Sequence, residues 1–321
     1  MTVLSNRLIG LSLFFVCAIV GGLVLSVGQA TLDNRHCRTS GYNSTDFLAY
    51  CRSDKFADYE HGALYYGAEP SVGENIRRAS LLFLGSSRTQ AGFSSIAVRS
   101  YFNERNIKFF VMGFGYGEWS PFATAVIKRW NAKPKVVVIN ADPFFSEKMS
   151  DPAKEAIEGN WAYLWRLTLK MLFQRVHRVV CKLPLVCPES EPSIFRSARD
   201  GQWNWVNPYL GGERTVAIDP KLQTPLTAEE LEKAKGAGEQ FLQEIGLSRQ
   251  CVVLTGTPNS NFDSPAIART LADALGTSSI FPNVENIMTL DGGHLNLDSA
   301  ERWSARFLEL LSPILLKCGV S

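Results

Sequence analysis

Of the four histidines in this 321-residue chain, only His294 has a carboxylate three residues ahead of it in a glycine-flexible loop, Asp291-Gly292-Gly293-His294. A carboxylate there can accept from one imidazole nitrogen and fix the tautomer, leaving the other nitrogen to take a proton from a hydroxyl. A matching hydroxyl stands at the end of a strongly apolar run, in Leu84-Gly85-Ser86-Ser87-Arg88-Thr89. A serine directly after a buried strand lies at the carboxyl edge of a sheet, where a nucleophile has to be. The block is not the Gly-x-Ser-x-Gly elbow of α/β-hydrolases, because Thr89 stands where the second glycine should be. Each block alone has a plainer reading: Gly and Ser populate loops for conformational reasons, and Asp291 can form a local turn while His294 packs or caps a helix. In combination they define a nucleophile, Ser87, a general base, His294, and an orienting carboxylate, Asp291.

The order and spacing of these blocks resemble the SGNH, or GDSL, hydrolases. That family carries its nucleophile in a Gly-Asp-Ser-like block after the first core strand, matched here by Gly85-Ser86-Ser87, and an Asp-x-x-His block before its last helix, matched by Asp291 to His294. Its second block gives a glycine amide to the oxyanion hole, and Gly113 in Met112-Gly113-Phe114-Gly115 is the match. Its third block, Gly-x-Asn-Asp, supplies an asparagine amide. Here the stretch reads Ile139-Asn140-Ala141-Asp142-Pro143, so the resemblance implies Asn140, with Asp142 as the alternative occupant. An amide would stabilise a developing oxyanion and an ionised aspartate would oppose it.

The resemblance covers roughly residues 80–142 and 250–312. It implies a flavodoxin-like three-layer α/β/α fold with a central parallel sheet and no cofactor. It also implies a serine esterase or O-acyltransferase in which Ser87, Gly113 and Asn140 donate to the oxyanion. The Gly-Ser-Ser variant resembles membrane-attached members that act on cell-envelope polymers, which implies acyl, foremost acetyl, esters of a cell-envelope polysaccharide. A second reading is a non-catalytic SGNH-fold binding or assembly component of an envelope complex, motivated by the imperfect third block.

Other chemistries find little support in the residues. The run Gly113-Phe-Gly115-Tyr-Gly117 lacks the full Gly-x-Gly-x-x-Gly pattern at the first strand-to-helix turn, which argues against a dinucleotide site. His36, His61 and His177 show no ligand spacing with cysteine or carboxylate, and no Cys-x-x-Cys pair occurs, so no metal is expected. Net charge is +2 without a dense Lys/Arg block, which lacks the electrostatic footprint of a nucleic-acid binder. With 45% hydrophobic and 20% charged residues the chain can bury a large core, unlike a disordered or collagen-like protein.

The candidate blocks need elements to position them. Leu81-Leu82-Phe83-Leu84, Phe109-Phe110-Val111-Met112, Val136-Val137-Val138-Ile139 and Cys251-Val252-Val253-Leu254 are continuous apolar runs, as expected of strands covered on both faces. Between them a helical pattern starts near Ser94. Ser120-Pro121 and Ser264-Pro265 each put a cap before a proline at the first helical position, and Thr227-x-x-Glu230 is a capping box. Ala300, Trp303, Phe307 and Leu311 form one buried stripe on the last helix. Strands alternating with helices predict a parallel sheet with ligand-binding loops after Leu84, Met112, Ile139 and Leu254. Residues 31–79 are polar, turn-rich and without a sustained period, and read as a lead-in packed on the main domain. Residues 143–226 hold Trp161, Trp165, Trp203 and Trp205 and no βαβ unit. They read as an insertion at the active edge, whose tryptophans either pack on the domain or face sugar rings or a membrane surface.

Leu8 to Val27 is a twenty-residue stretch without a charge, which as a helix rises about 30 Å and crosses a hydrocarbon core. It exceeds the roughly 7–15 apolar residues of a signal peptide, favouring an uncleaved transmembrane anchor, although Gly28-Gln29-Ala30 offers a conceivable cleavage site. Arg7 before the span and Arg35 and Arg38 after it leave orientation undecided. Six cysteines follow it: Cys37, Cys51, Cys181, Cys187, Cys251 and Cys318. An even number is compatible with three disulfides in an oxidising compartment, Cys37–Cys51 and Cys181–Cys187 being the first pairs by loop length, and equally with buried thiols. The expected organisation is an anchor or signal peptide over residues 1–30 and one SGNH-like α/β domain over 31–321, outside the cytoplasm in a bacterial periplasm or at a cell surface. Expected partners are an acylated glycan or other ester substrate, the membrane through Leu8 to Val27, and envelope-complex proteins, with no nucleic acid.

Overall fold

A computed structural model of the chain describes residues 12–14, 16–18, 20–22, 24–25, 37, 45–51, 59–115, 118–180, 193–205 and 215–321. In chain order, the lead-in holds strand β1 (Asp46–Cys51) and helices α1 (Tyr59–Tyr66) and α2 (Val72–Arg78). The first half of the core follows as β2 (Leu81–Ser86), α3 (Ser87–Phe93), α4 (Ile96–Glu104), β3 (Phe109–Phe114), α5 (Ser120–Arg129) and β4 (Val136–Asn140). The insertion contributes α6 (Asp151–Glu158), α7 (Trp161–Val180), β5 (Ser193–Ser197), β6 (Trp203–Trp205) and β7 (Val216–Ala217). The core then resumes with α8 (Ala228–Ile245), β8 (Val252–Thr255), α9 (Ser264–Leu275), β9 (Ser278–Ser279), β10 (Met288–Thr289) and α10 (Leu297–Lys317).

The central sheet has five parallel strands in the order β3-β2-β4-β8-β9. Counted along the core this is 2-1-3-4-5, the flavodoxin-like order, whose switch point lies between β2 and β4. Successive side chains of a strand point to opposite faces, and each core strand divides accordingly. Leu82, Leu84, Phe110, Met112, Val137, Ile139 and Leu254 pack with Phe122 and Val126 of α5, Phe241 of α8 and Leu271 of α9. Leu81, Phe83, Val111, Val138 and Val253 pack on the other face with Phe102 of α4 and Trp303, Phe307 and Leu311 of α10. The apolar runs are continuous because both faces are covered. The stripe expected on the last helix is buried, from Ala300 through Leu311.

Strand β3 is an edge of this sheet, and the insertion covers it. Asp200 accepts from the Val111 amide at 2.8 Å. Arg196 donates to the carbonyls of Val111 and Gly113 at 2.7 and 3.1 Å. Arg196 belongs to an antiparallel sheet, β1-β5-β6, that ties the lead-in to the insertion. Glu60 on α1 neutralises it and accepts from the indole of Trp203 at 2.6 Å. The insertion therefore closes an exposed edge that would otherwise offer unpaired backbone groups, in addition to bordering the carboxyl end of the sheet. Of its tryptophans, Trp203 is buried, whereas Trp161 is 80% exposed and Trp165 is also exposed; the side chain of Trp205 lies outside the described residues.

Three local expectations are corrected. Ser120 and Ser264 are each the first helical residue and not the cap: Trp119 and Asp263 are the N-cap residues, and the Asp263 carboxylate accepts from the Ala266 amide. Residues 31–79 are not uniformly turn-like, since β1, α1 and α2 lie within them. The helical pattern expected near Ser94 is present as α4, capped by Ser95, but the stretch before it is helical too, since α3 opens at Ser87. The Thr227–Glu230 capping box is present as expected. Cys37–Cys51 is a disulfide, and a second joins Cys251 to Cys318; Cys181 and Cys187 lie outside the described residues. So does much of Leu8 to Val27, and among the described residues no helix is long and apolar enough to cross a membrane.

Candidate active site

Three elements converge at the carboxyl edge. The penultimate residue of β2 is Gly85, whose φ of +145° is a conformation that L side chains rarely adopt. A Cβ on Gly85 would come within 2.2 Å of Thr89 Oγ1 and 3.2 Å of Asn140 Cβ, so glycine lets β2 turn into α3 hard against β4. Ser86 then caps α3, its hydroxyl accepting from the Arg88 amide at 3.3 Å. Ser87 follows at the first helical position, partly exposed.

The Asp291–His294 loop between β10 and α10 arrives from the far end of the chain. It is pinned by the Ser260 amide donating to the Gly292 carbonyl at 2.7 Å and the Gly292 amide donating to Thr289 Oγ1 at 2.9 Å. Gly292 has φ +85°, and Asp291 Oδ1 accepts from the amides of Gly293 and His294 at 2.8 and 2.9 Å. His294 Nδ1 lies 2.9 Å from Asp291 Oδ2, and His294 Nε2 lies 2.8 Å from Ser87 Oγ. An ionised carboxylate is only an acceptor, so Nδ1 carries the proton, Nε2 is the free base and the serine hydroxyl donates to it. Partial burial alone would push the Asp291 carboxyl up. The hydrogen bond and charge of His294, with the two loop amides, outweigh burial and lower it to about 2.

Asn140 ends β4 and is fully buried. Its Oδ1 accepts from the Thr257 amide at 2.9 Å, which fixes the orientation of the side-chain amide. Its Nδ2 is buried without a hydrogen-bond partner among the described residues. Asp142 is buried two residues on, its Oδ2 accepting from Ser264 Oγ at 2.5 Å and from Asn259 Nδ2 at 3.0 Å. Burial pushes its carboxyl up, against the pull of the Arg88 charge and those two hydrogen bonds. Asp142 is thus held among β8-loop and α9 groups, and Asn140 is the residue of the two with a free donor. Gly113 is the penultimate residue of β3, where a Cβ would come within 2.7 Å of the Ser86 carbonyl and 3.0 Å of the Gln90 amide. Close packing of α3 on β3 therefore requires glycine there, independently of any role for its amide.

The spacing of the two sequence blocks identified Ser87, Asp291 and His294, and the fold brings them into one hydrogen-bonded chain. Sequence reasoning missed Arg88, Thr257 and Phe262 beside Ser87, and Asn259 on Asp142, none of which carried a local signal. His61 has a different neighbourhood: it bonds Glu118 at 2.9 Å between the rings of Phe114 and Phe122. Burial would raise the Glu118 carboxyl, but the hydrogen bond and charge of His61 and the hydroxyl of Ser150 hold it below its ordinary value. Among the described residues no group of three or more His, Cys, Asp or Glu is arranged to hold a metal ion. No protein-family model, curated protein or solved structure matches this chain.

Proposed function

We propose that this chain is a serine esterase or O-acyltransferase of SGNH type, anchored through Leu8 to Val27 and acting outside the cytoplasm on acyl, foremost acetyl, esters of a cell-envelope polysaccharide. The observation that carries the reading is the hydrogen-bonded series from Ser87 Oγ through the His294 imidazole to the Asp291 carboxylate. Two disulfides support the oxidising compartment, and the flavodoxin-like strand order supports the SGNH fold.

In the first step Ser87 Oγ bonds to the acyl carbon and its proton passes to His294 Nε2, while Asp291 stabilises the imidazolium without being protonated. The carbonyl oxygen becomes an oxyanion. The Ser87 amide is among the orphan donors of the first turn of α3, and Asn140 Nδ2 is a second donor without a partner. Gly113 is the third candidate, and an oxyanion hole of this kind typically supplies a large share of the rate. The intermediate collapses as the bond to the leaving alcohol breaks and His294 returns its proton to that oxygen. The acyl group on Ser87 then passes to water or to a sugar hydroxyl by the same steps reversed.

Turnover of an O-acetylated glycoside tests the reading. Released acetate from wild type, lost in Ser87→Ala, is the expected result, and transfer to an added sugar separates transferase from hydrolase. Equal release by wild type and Ser87→Ala would overturn it.

A further inference from the structure

Arg88 follows Ser87 directly, and its charge contact with Asp142 leaves its hydrogen-bond donors unused. Its side chain is only 14% exposed. The guanidinium lies with its carbon 5.0 Å from the centre of the Phe262 ring, which covers one face and leaves its donor-bearing edge. Its Nε lies 3.8 Å from Asp142 Oδ2, within ion-pair range but too far for a hydrogen bond. That Nε is buried without a partner, and among the described residues nothing accepts from the side chain. Arg196, buried in a structural role, also leaves its Nε without a partner among the described residues, but its two terminal nitrogens bond carbonyls and pair with Glu60, whereas those of Arg88 make no such bond. Ser264 and Asn259 both bond Asp142 Oδ2, and Asp142 Oδ1 has no partner among the described residues, so Asp142 holds Arg88 by charge without a hydrogen bond and leaves the fork open.

Arg88 neighbours the elements that carry Ser87 and His294. Phe262 follows Ser260, whose amide bonds the Gly292 carbonyl in the His294 loop, and Arg88 is covalently next to Ser87. A planar five-donor cation with its donors free matches a carboxylate or phosphate, each of which it can grip by two bonds. We propose that Arg88 binds an anionic group on the substrate next to the scissile ester, so that the polymer is an acidic glycan and not a neutral one. The anion is a uronate carboxylate or a phosphate substituent. This rests on Ser87 being the nucleophile.

The test compares O-acetylated methyl glucuronoside, O-acetylated methyl glucoside and an O-acetylated methyl glucoside phosphate on the full chain. Wild type is expected to turn over at least one anionic ester roughly tenfold or more faster in kcat/KM than the neutral one, through KM. That ratio should fall as salt rises and collapse toward one in Arg88→Gln, with Arg88→Lys intermediate. If Arg88→Gln fails to fold because Asp142 is left unpaired, the double variant Arg88→Gln/Asp142→Asn carries the comparison. A ratio near one in wild type, or one that survives loss of Arg88, overturns the proposal. Direct binding of unesterified methyl glucuronoside and glucoside phosphate to Ser87→Ala, with and without Arg88→Gln, separates the two readings. Arg88-dependent binding without turnover in wild type contradicts catalysis alone, whereas turnover without preference contradicts the anion site alone.

Discussion

At the scale of single residues, the chemistry depends on which imidazole nitrogen carries the proton. Asp291 decides this by accepting at Nδ1, so Asp291→Asn, which can present an N–H there, should favour the wrong tautomer. We expect acetyl-ester kcat to fall about 10²- to 10⁴-fold with little change in fold, checked by kinetics alongside circular dichroism. The sign of its pH dependence follows from its lowered value of about 2 against an ordinary 3.8. The stabilisation from the His294 bond is present in full above about pH 4 and is lost as pH falls through about 2. Asp291→Asn should therefore leave the thermal midpoint at pH 2 closer to wild type than at pH 6. The triad was legible in sequence because Asp-x-x-His is a local geometric device and Ser87 ends an apolar run. Arg88 was not, because a single arginine in a polar stretch reads as solvated until Phe262 and Asp142 are brought to it from distant parts of the chain.

At the scale of elements, α3 positions Ser87 and Gly85 positions α3. Gly85→Ala sets a side chain at φ +145° and brings Cβ within 2.2 Å of Thr89 Oγ1. We expect a loss of about 1–3 kcal/mol in stability, measured by urea unfolding, and a larger proportional loss of activity because the turn carries Ser87. The four long core strands were legible because burial on both faces writes an unbroken apolar run. Helix α3 was not: its seven residues, Ser87–Phe93, contain a glycine and no helical period, and it is held by the Ser86 cap and by Gln90 donating to the carbonyls of Gly113 and Gly201. Strands β7, β9 and β10 have two residues each, too few to show any period. In β5 a buried arginine breaks the apolar pattern, and its reason, capping the carbonyls of β3, lies in tertiary structure.

At the scale of the whole molecule, the last helix and the fourth core strand are fastened by Cys251–Cys318, closing a separation of 67 residues that contains the His294 loop. Cross-linking that length restricts the unfolded chain by about 4 kcal/mol in the loop-entropy account. Reduction, or Cys251→Ala/Cys318→Ala, should therefore lower the thermal midpoint clearly while leaving the Ser87–His294 pairing in the folded state. Loop length alone favoured the short pairs and passed over this one, because it is the antiparallel packing of α10 on β8, with the end of the helix at the start of the strand, that brings the two sulfurs together. The same packing delivers His294 to Ser87 across 207 residues, so fold and site depend on one arrangement. The most direct measurement is labelling of the folded protein by a fluorophosphonate probe, read by intact mass for wild type, Ser87→Ala and His294→Ala. One adduct on wild type, located to Ser87 and lost in both variants, is the predicted result. Absence of an adduct on folded wild type, or labelling that persists without Ser87, would contradict it.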